Sequence, residues 1–275
     1  MRIVILTYES HQANLMTHRL LTEFPGRVVG IMASEVIVAK KNTWQAGWFL
    51  LRRTGLGFVA LKGLEIILSR LAGLYLGLRG RQAAVPSLKQ MAGQFSVPLV
   101  GSKNINTPSA RQRLQSWQPN LIISVYLNQL IGKKIIDLPT QGVINVHPAL
   151  LPKNRGLFPY FWALTNGDAE TGVTVHWVAP EFDTGALLVQ EALPIGPDDT
   201  VISLAQKSAE LGAELLVRAV QLIEAGQPPQ IDQDPSQASY FSWPTPAAVR
   251  QFRARGRRYG SLKAMWFESK KELTE

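Results

Sequence analysis

Gly142-Val143-Ile144-Asn145-Val146-His147-Pro148-Ala149-Leu150-Leu151-Pro152-Lys153-Asn154-Arg155-Gly156 opens a stretch that continues through Asn166-Gly167-Asp168 to Phe182-Asp183-Thr184-Gly185. The run Gly142–Val146 is short, apolar and β-branched, and turn residues bound it, so it reads as a buried strand. Asn145 and His147 are two apart and therefore share one face of that strand. Their polar groups need partners, because burying one unpaired costs about 2–7 kcal/mol. Asp183 follows 36 residues later, in a loop between two further apolar runs. Amide, imidazole and carboxylate together suit acyl transfer to a neutral amine.

Other β-branched runs extend the pattern. Strands are expected at Ile3–Thr7, Arg27–Ala33, Pro98–Val100, Asn120–Tyr126 and Gly172–Val178. Helices are expected near Asn14–Phe24, where Pro25-Gly26 stops the first, near Ser109–Trp117 and near Gln129–Leu138. Strands alternating with helices imply an α/β fold with a mostly parallel sheet. Ligands of such sheets sit beyond the strand carboxyl ends, where Asn145 and His147 fall. Asp199 or Thr200 can cap a long helix with the apolar face Val201, Leu204, Ala205, Leu211, Leu215, Ala219 and Leu222, and Gly226 ends it.

At Asn145, His147, Leu150, Leu151, Pro152, Gly156, Gly167, Asp168, Asp183 and Gly185 the chain resembles the 10-formyltetrahydrofolate-dependent formyltransferases. That family includes glycinamide ribonucleotide, methionyl-tRNA and amino-sugar N-formyltransferases. The ordered match spans about 50 residues, with weaker likeness from about 97 to 225. The resemblance implies a Rossmann-like formyltransferase sheet flanked by helices. It implies 10-formyltetrahydrofolate as cosubstrate, no metal, and a primary amine as acceptor. Asn145 and a protonated His147 would stabilise the oxyanion, and Asp183 would hold the imidazole and relay a proton. The folate-binding segments would be Ser124, Val125, Tyr126, Leu127 and Leu130 after one strand, with Pro180, Glu181 and Phe182 before Asp183. Acceptor contacts would come from Tyr8, Ser10 and Asn14 in the first loop and from Arg155, Gly156 and Pro159. His176, on the alternating run Val173–Val178, matches a histidine of the ribonucleotide branch, and a structural role is an equal expectation there.

Three departures bear on the acceptor. The first loop, Tyr8–Asn14, has no glycine and carries Glu9, so it receives a phosphate poorly and glycinamide ribonucleotide is a weak candidate. Residues 44–80 form an insertion rich in Trp, Phe and Leu with interspersed Arg and Lys. It is expected as a helical hairpin, with contact to a membrane surface, packing on its own core or a dimer partner, or a lid over the acceptor as the alternatives. Lys62, Glu65 and Arg70 argue against a membrane span. Last, the tail carries a basic helix over Ala247–Arg258 and a second basic stretch, Lys263–Phe267. It is shorter than the extra C-terminal domain of methionyl-tRNA formyltransferases. The expected organisation is a catalytic domain over 1–228, interrupted by the insertion, and a basic appendage over 229–275.

Composition narrows the rest. The 275-residue chain is 46% hydrophobic, enough for a sizeable core, and lacks cysteine, which removes disulfides and cysteine metal sites. Residues 40–81 carry +7 and residues 250–275 carry +5, which leaves the remainder of a +9 chain at −3. The basic surplus thus lies outside the motif and suggests an anionic acceptor or surface. A cytoplasmic location is expected, peripheral at the membrane if residues 44–80 touch lipid. Nucleic acid is the weaker expectation as partner, and a homodimer stays open. Among acceptors, Arg155-Gly156-x-x-Pro159 follows the sugar and tRNA branches more closely than the ribonucleotide branch; a nucleotide- or lipid-linked amino sugar is the expected acceptor, with a methionyl-tRNA formyltransferase-like enzyme as an alternative. A formyltetrahydrofolate hydrolase uses the same three residues with water in place of the amine. A basic membrane- or nucleic-acid-binding scaffold is the non-enzymatic alternative, against which the intact Asn145, His147 and Asp183 set speaks.

Overall fold

The computed structural model describes residues 1–35, 43–55, 63, 67 and 85–260. Its centre is a seven-stranded sheet. Strand β1 is Ile3–Tyr8, β2 Val28–Ser34, β3 Leu99–Ser102, β4 Leu121–Val125, β5 Val143–His147, β7 Glu170–Trp177 and β8 Leu187–Pro194. The order is β3-β2-β1-β4-β5-β7-β8. The first five are parallel, whereas β7 and β8 add antiparallel at one edge. The short strands β6, Arg155–Gly156, and β9, Tyr240–Phe241, pair separately.

Both sheet faces are covered, so most strands are continuously apolar. On one face, Ile3, Ile5, Ile123, Ile144, Val146 and Val175 meet helix α1, His11–Glu23, and the long helix α7, Val201–Glu224. Gly212 of α7 allows the close pass, because a Cβ there would meet the Met16 side chain. On the other face, Val4, Leu6, Ile122 and Val143 pack with Leu114 of helix α4, Pro108–Ser116, and Ile135 of the one-turn helix α5, Lys133–Ile136. Asn145, His147, Thr174 and His176 belong to this second face by strand alternation and register.

Thr200, rather than Asp199, caps α7, in a reciprocal capping box with Ser203. Asp199 instead accepts from Ser203, Lys207 and the Gly196 N–H. Thr200→Ala is expected to destabilise the protein by about 1 kcal/mol. Thermal unfolding would show this as a fall of about 2–4 °C.

The helix expected over Gln129–Leu138 is limited to Lys133–Ile136. Tertiary bonds hold the preceding residues in a loop: Gln129 accepts from the Ile105 N–H and donates to Ser34, and Asn106 accepts from the Gly132 N–H. Helix α6, Pro159–Asn166, was not anticipated, because it is apolar on nearly all sides and so lacks helical periodicity.

Beyond α7, residues 229–260 lie against the elements before them. Helix α8, Pro246–Ala254, covers α6, with Phe252 stacked on Phe161. Arg257 donates to the Gly196 and Pro197 carbonyls, so part of the basic surplus serves contacts within the chain. Of the insertion, α2, Thr43–Thr54, is described, and Phe49 meets Trp243 edge to face at 6.2 Å. Trp48 is exposed, with Arg52 over its ring. The remainder of the expected hairpin, apart from residues 55, 63 and 67, lies outside the described residues, as does Lys263–Phe267. No helix among the described residues is long and apolar enough to cross a membrane.

Candidate active site

The carboxyl end of β5 carries the candidate site. Asn145 pairs in register with His176 of β7, and its amide donates to His176 Nε2 at 3.1 Å. His176 Nδ1 donates to the Trp177 carbonyl at 2.8 Å, so Nε2 is the atom turned to Asn145 and to Asp183. On His147, Nε2 donates to the Asn154 carbonyl at 2.9 Å, leaving Nδ1 to face Asp183 Oδ2 at 3.6 Å. The second carboxylate oxygen lies 3.6 Å from His176 Nε2. One carboxylate therefore stands between two imidazoles, and all three side chains are at most 10% exposed.

Backbone geometry presents these groups. Asp183 adopts φ +55°, a left-handed conformation that a non-glycine residue holds only when its surroundings fix it. Part of that fixing is visible, since Asp183 Oδ2 accepts the Gly156 N–H at 2.9 Å. Gly156 needs to be glycine: its φ is +95°, and a Cβ would run into the Phe241 carbonyl. The loop between β5 and β6 is braced by Thr174, which donates to the Ala149 carbonyl and accepts from the Leu151 N–H.

Burial would raise the Asp183 carboxyl, but the facing His147 imidazole and the Gly156 N–H outweigh it and hold the group well below the usual carboxylate range. Its depressed folded-state pKa stabilises the fold fully above the unfolded value of about 3.9. That contribution disappears as pH falls through the folded value. Asp183→Asn should accordingly flatten the acid limb of melting temperature against pH below about pH 4, without steepening the neutral limb.

The expected folate segments flank this centre. Ser124 lies on β4 directly beside Asn145, and Tyr126 follows β4 with φ +53°. The Tyr126 and Tyr160 hydroxyls bond each other, and burial raises both phenols. Leu127 packs with Val178 on one cluster, while Leu130 is exposed. Val125 is buried in the core on the opposite sheet face. Pro180, Glu181 and Phe182 are exposed on the loop before Asp183.

The expected acceptor residues divide into two groups. Gly156 and Arg155 adjoin Asp183, and Pro159 begins α6. Tyr8 ends β1, whereas Ser10 caps α1 and the Asn14 amide donates to the distant Pro86 carbonyl. Gln233 and Asn154 contribute to the site without having been anticipated, because isolated polar residues in irregular segments carry no periodic signal. Among the described residues, no group of three or more His, Asp or Glu side chains is placed to hold a metal ion.

An open α/β sheet thus carries an amide, two imidazoles and a carboxylate together at the carboxyl end of β5. The formyl transferase family model matches residues 76–220, more than half of the chain, and the chain belongs to that family. The methionyl-tRNA formyltransferase of Syntrophus aciditrophicus is 39% identical over 162 residues, covering 59% of this chain and 52% of the relative. That of Moorella thermoacetica is 35% identical over 188 residues, covering 65% and 60%. The chain thus spans little more than half the length of these curated relatives. Among solved structures, the Helicobacter canadensis N-formyltransferase, in complex with folinic acid and dTDP-3-aminofucose, superposes with TM-score 0.58 at 18% identity. That match covers 88% of this chain and 71% of the other. Glycinamide ribonucleotide transformylase 1 of Symbiobacterium toebii gives 0.57 at 18% identity, covering 84% and 95%. At these identities the two structures share the fold.

Proposed function

We propose that the protein transfers a formyl group from 10-formyltetrahydrofolate to a primary amine. The observation that carries this reading is the placement of Asn145, His147 and Asp183 together at the carboxyl end of β5 in a chain of this family. As the amine attacks, a C–N bond forms and the formyl oxygen gains negative charge. Asn145 keeps one amide hydrogen for that oxygen after giving the other to His176. His147 uses Nε2 for the Asn154 carbonyl, so its donor to the reacting group is Nδ1. Hydrogen on both nitrogens makes the ring a cation, whose charge Asp183 compensates. The carboxylate can also take the amine proton, directly or through a water, as the bond to N10 breaks and N10 is protonated.

An amino sugar is the proposed acceptor, on the Arg155-Gly156-x-x-Pro159 pattern, which the sugar branch shares with the tRNA branch and which sets both apart from the ribonucleotide branch. Methionyl-tRNA is the second reading, favoured by the 39% identity to a curated enzyme of that name. Incubation with 10-formyltetrahydrofolate and either a dTDP-amino sugar or methionyl-tRNA separates them by mass spectrometry. The sugar should gain 28 Da, the mass of a formyl group less one hydrogen. Formylation of the methionyl-tRNA alone would establish the second reading.

A further inference from the structure

We infer that Gln233 is a positioning residue for the reaction, locking the Asp183 loop to the strand that carries Arg155 and Gly156. The inference rests on Asp183 acting as proposed above. Gln233 lies outside the span that the family model matches, yet its amide spends its full hydrogen-bonding capacity around the site. Its Nε2 donates to the Asp183 carbonyl at 2.9 Å and to the Gly185 carbonyl at 2.7 Å. Its Oε1 accepts from Arg155 Nε at 3.2 Å and from Arg155 Nη2 at 2.6 Å. Carbonyls only accept and a guanidinium only donates, so the amide orientation is unambiguous.

Two consequences follow from this geometry. Asp183 is held in its left-handed conformation at its own carbonyl, the atom whose direction sets where the side chain leaves the loop. The partner strand is fixed to the same amide through Arg155, next to Gly156, whose N–H binds the Asp183 carboxylate. Gln233 therefore closes a ring: Asp183 carboxylate, Gly156, Arg155, Gln233 and back to the Asp183 carbonyl. Its own segment is anchored on both sides, by the Leu187–Ile231 bridge and by the Ser239 carbonyl accepting from the Arg155 N–H. Glutamate cannot replace it, since a carboxylate has no hydrogen for the two loop carbonyls and would face them with negative charge.

Amide hydrogen exchange on the full chain tests this without relying on turnover. In Gln233→Leu, exchange of the Gly156 amide should accelerate about tenfold, because its carboxylate partner is no longer held. The Arg155 and Leu157 amides, bound to the Ser239 and Phe241 carbonyls, should stay within about twofold of wild type and serve as controls. Gln233→Glu keeps a partner for Arg155 and should still release Gly156. Where the leucine variant does not fold, the glutamate variant decides. In transfer assays with 10-formyltetrahydrofolate, kcat should fall about tenfold or more while KM for the folate changes less than about twofold. Unchanged exchange at Gly156, or equal acceleration at all three amides, would overturn the inference. If wild type transfers no formyl group, the functional reading fails while the exchange comparison still decides the role of Gln233.

Discussion

His147→Ala and Asp183→Ala are each expected to lower the turnover of formyl transfer by about 10²–10³-fold, with folate affinity nearly unchanged. A preorganised donor aimed at a developing oxyanion contributes roughly that much. His147 is such a donor only through Nδ1, because Nε2 is committed to the Asn154 carbonyl. Asp183 is the charge that Nδ1 faces, so losing either residue removes much of the same effect. The double variant should consequently be far less impaired than the product of the single losses. Steady-state kinetics with calorimetric folate binding would check this, and near-wild-type turnover in either single variant would contradict it. The 3.6 Å separation of His147 and Asp183 is longer than a direct hydrogen bond. Catalytic contacts often close only when substrate is bound.

Gly156→Ala should damage both fold and activity. At φ +95° an alanine is strained, by about 1–3 kcal/mol. Its methyl group would also displace the Phe241 carbonyl, which accepts the Leu157 N–H and keeps β6 on β9. A fall in melting temperature of several degrees is expected, at about 2–4 °C per kcal/mol for a protein of this size. Turnover should drop more than tenfold, since the Gly156 N–H that steadies Asp183 moves with the strand. An unshifted melting curve with full activity would show that the backbone here is free to adjust.

Much of this was legible in the sequence, for identifiable reasons. The runs Ile3–Thr7 and Gly142–Val146 are β-branched and bounded by turn residues, so the strands they predict occur within a residue or two. Spacing by two placed Asn145 and His147 on one face, and strand alternation has a single outcome there. The distance from His147 to Asp183 was beyond sequence reading, because it depends on how β7 and β8 turn back against β5. Gln129 shows a different failure: local propensity favoured a helix, and bonds to Ile105 and Ser34 from distant segments prevailed. His176 was visible as a polar residue in an apolar strand, but its partnership with Asn145 is a matter of antiparallel register. Gln233 gave no signal, being one amide in a polar segment 50 residues from Asp183.

Transfer to an amine, rather than hydrolysis, is tested most directly by following 10-formyltetrahydrofolate consumption and formate release with and without the amine acceptor. The expected result is that tetrahydrofolate appears rapidly only when the acceptor is present, in equal amount to formylated product and with little formate. Formate release at the same rate in the absence of any amine would show that water is the acceptor and would contradict formyl transfer as the reaction of this site.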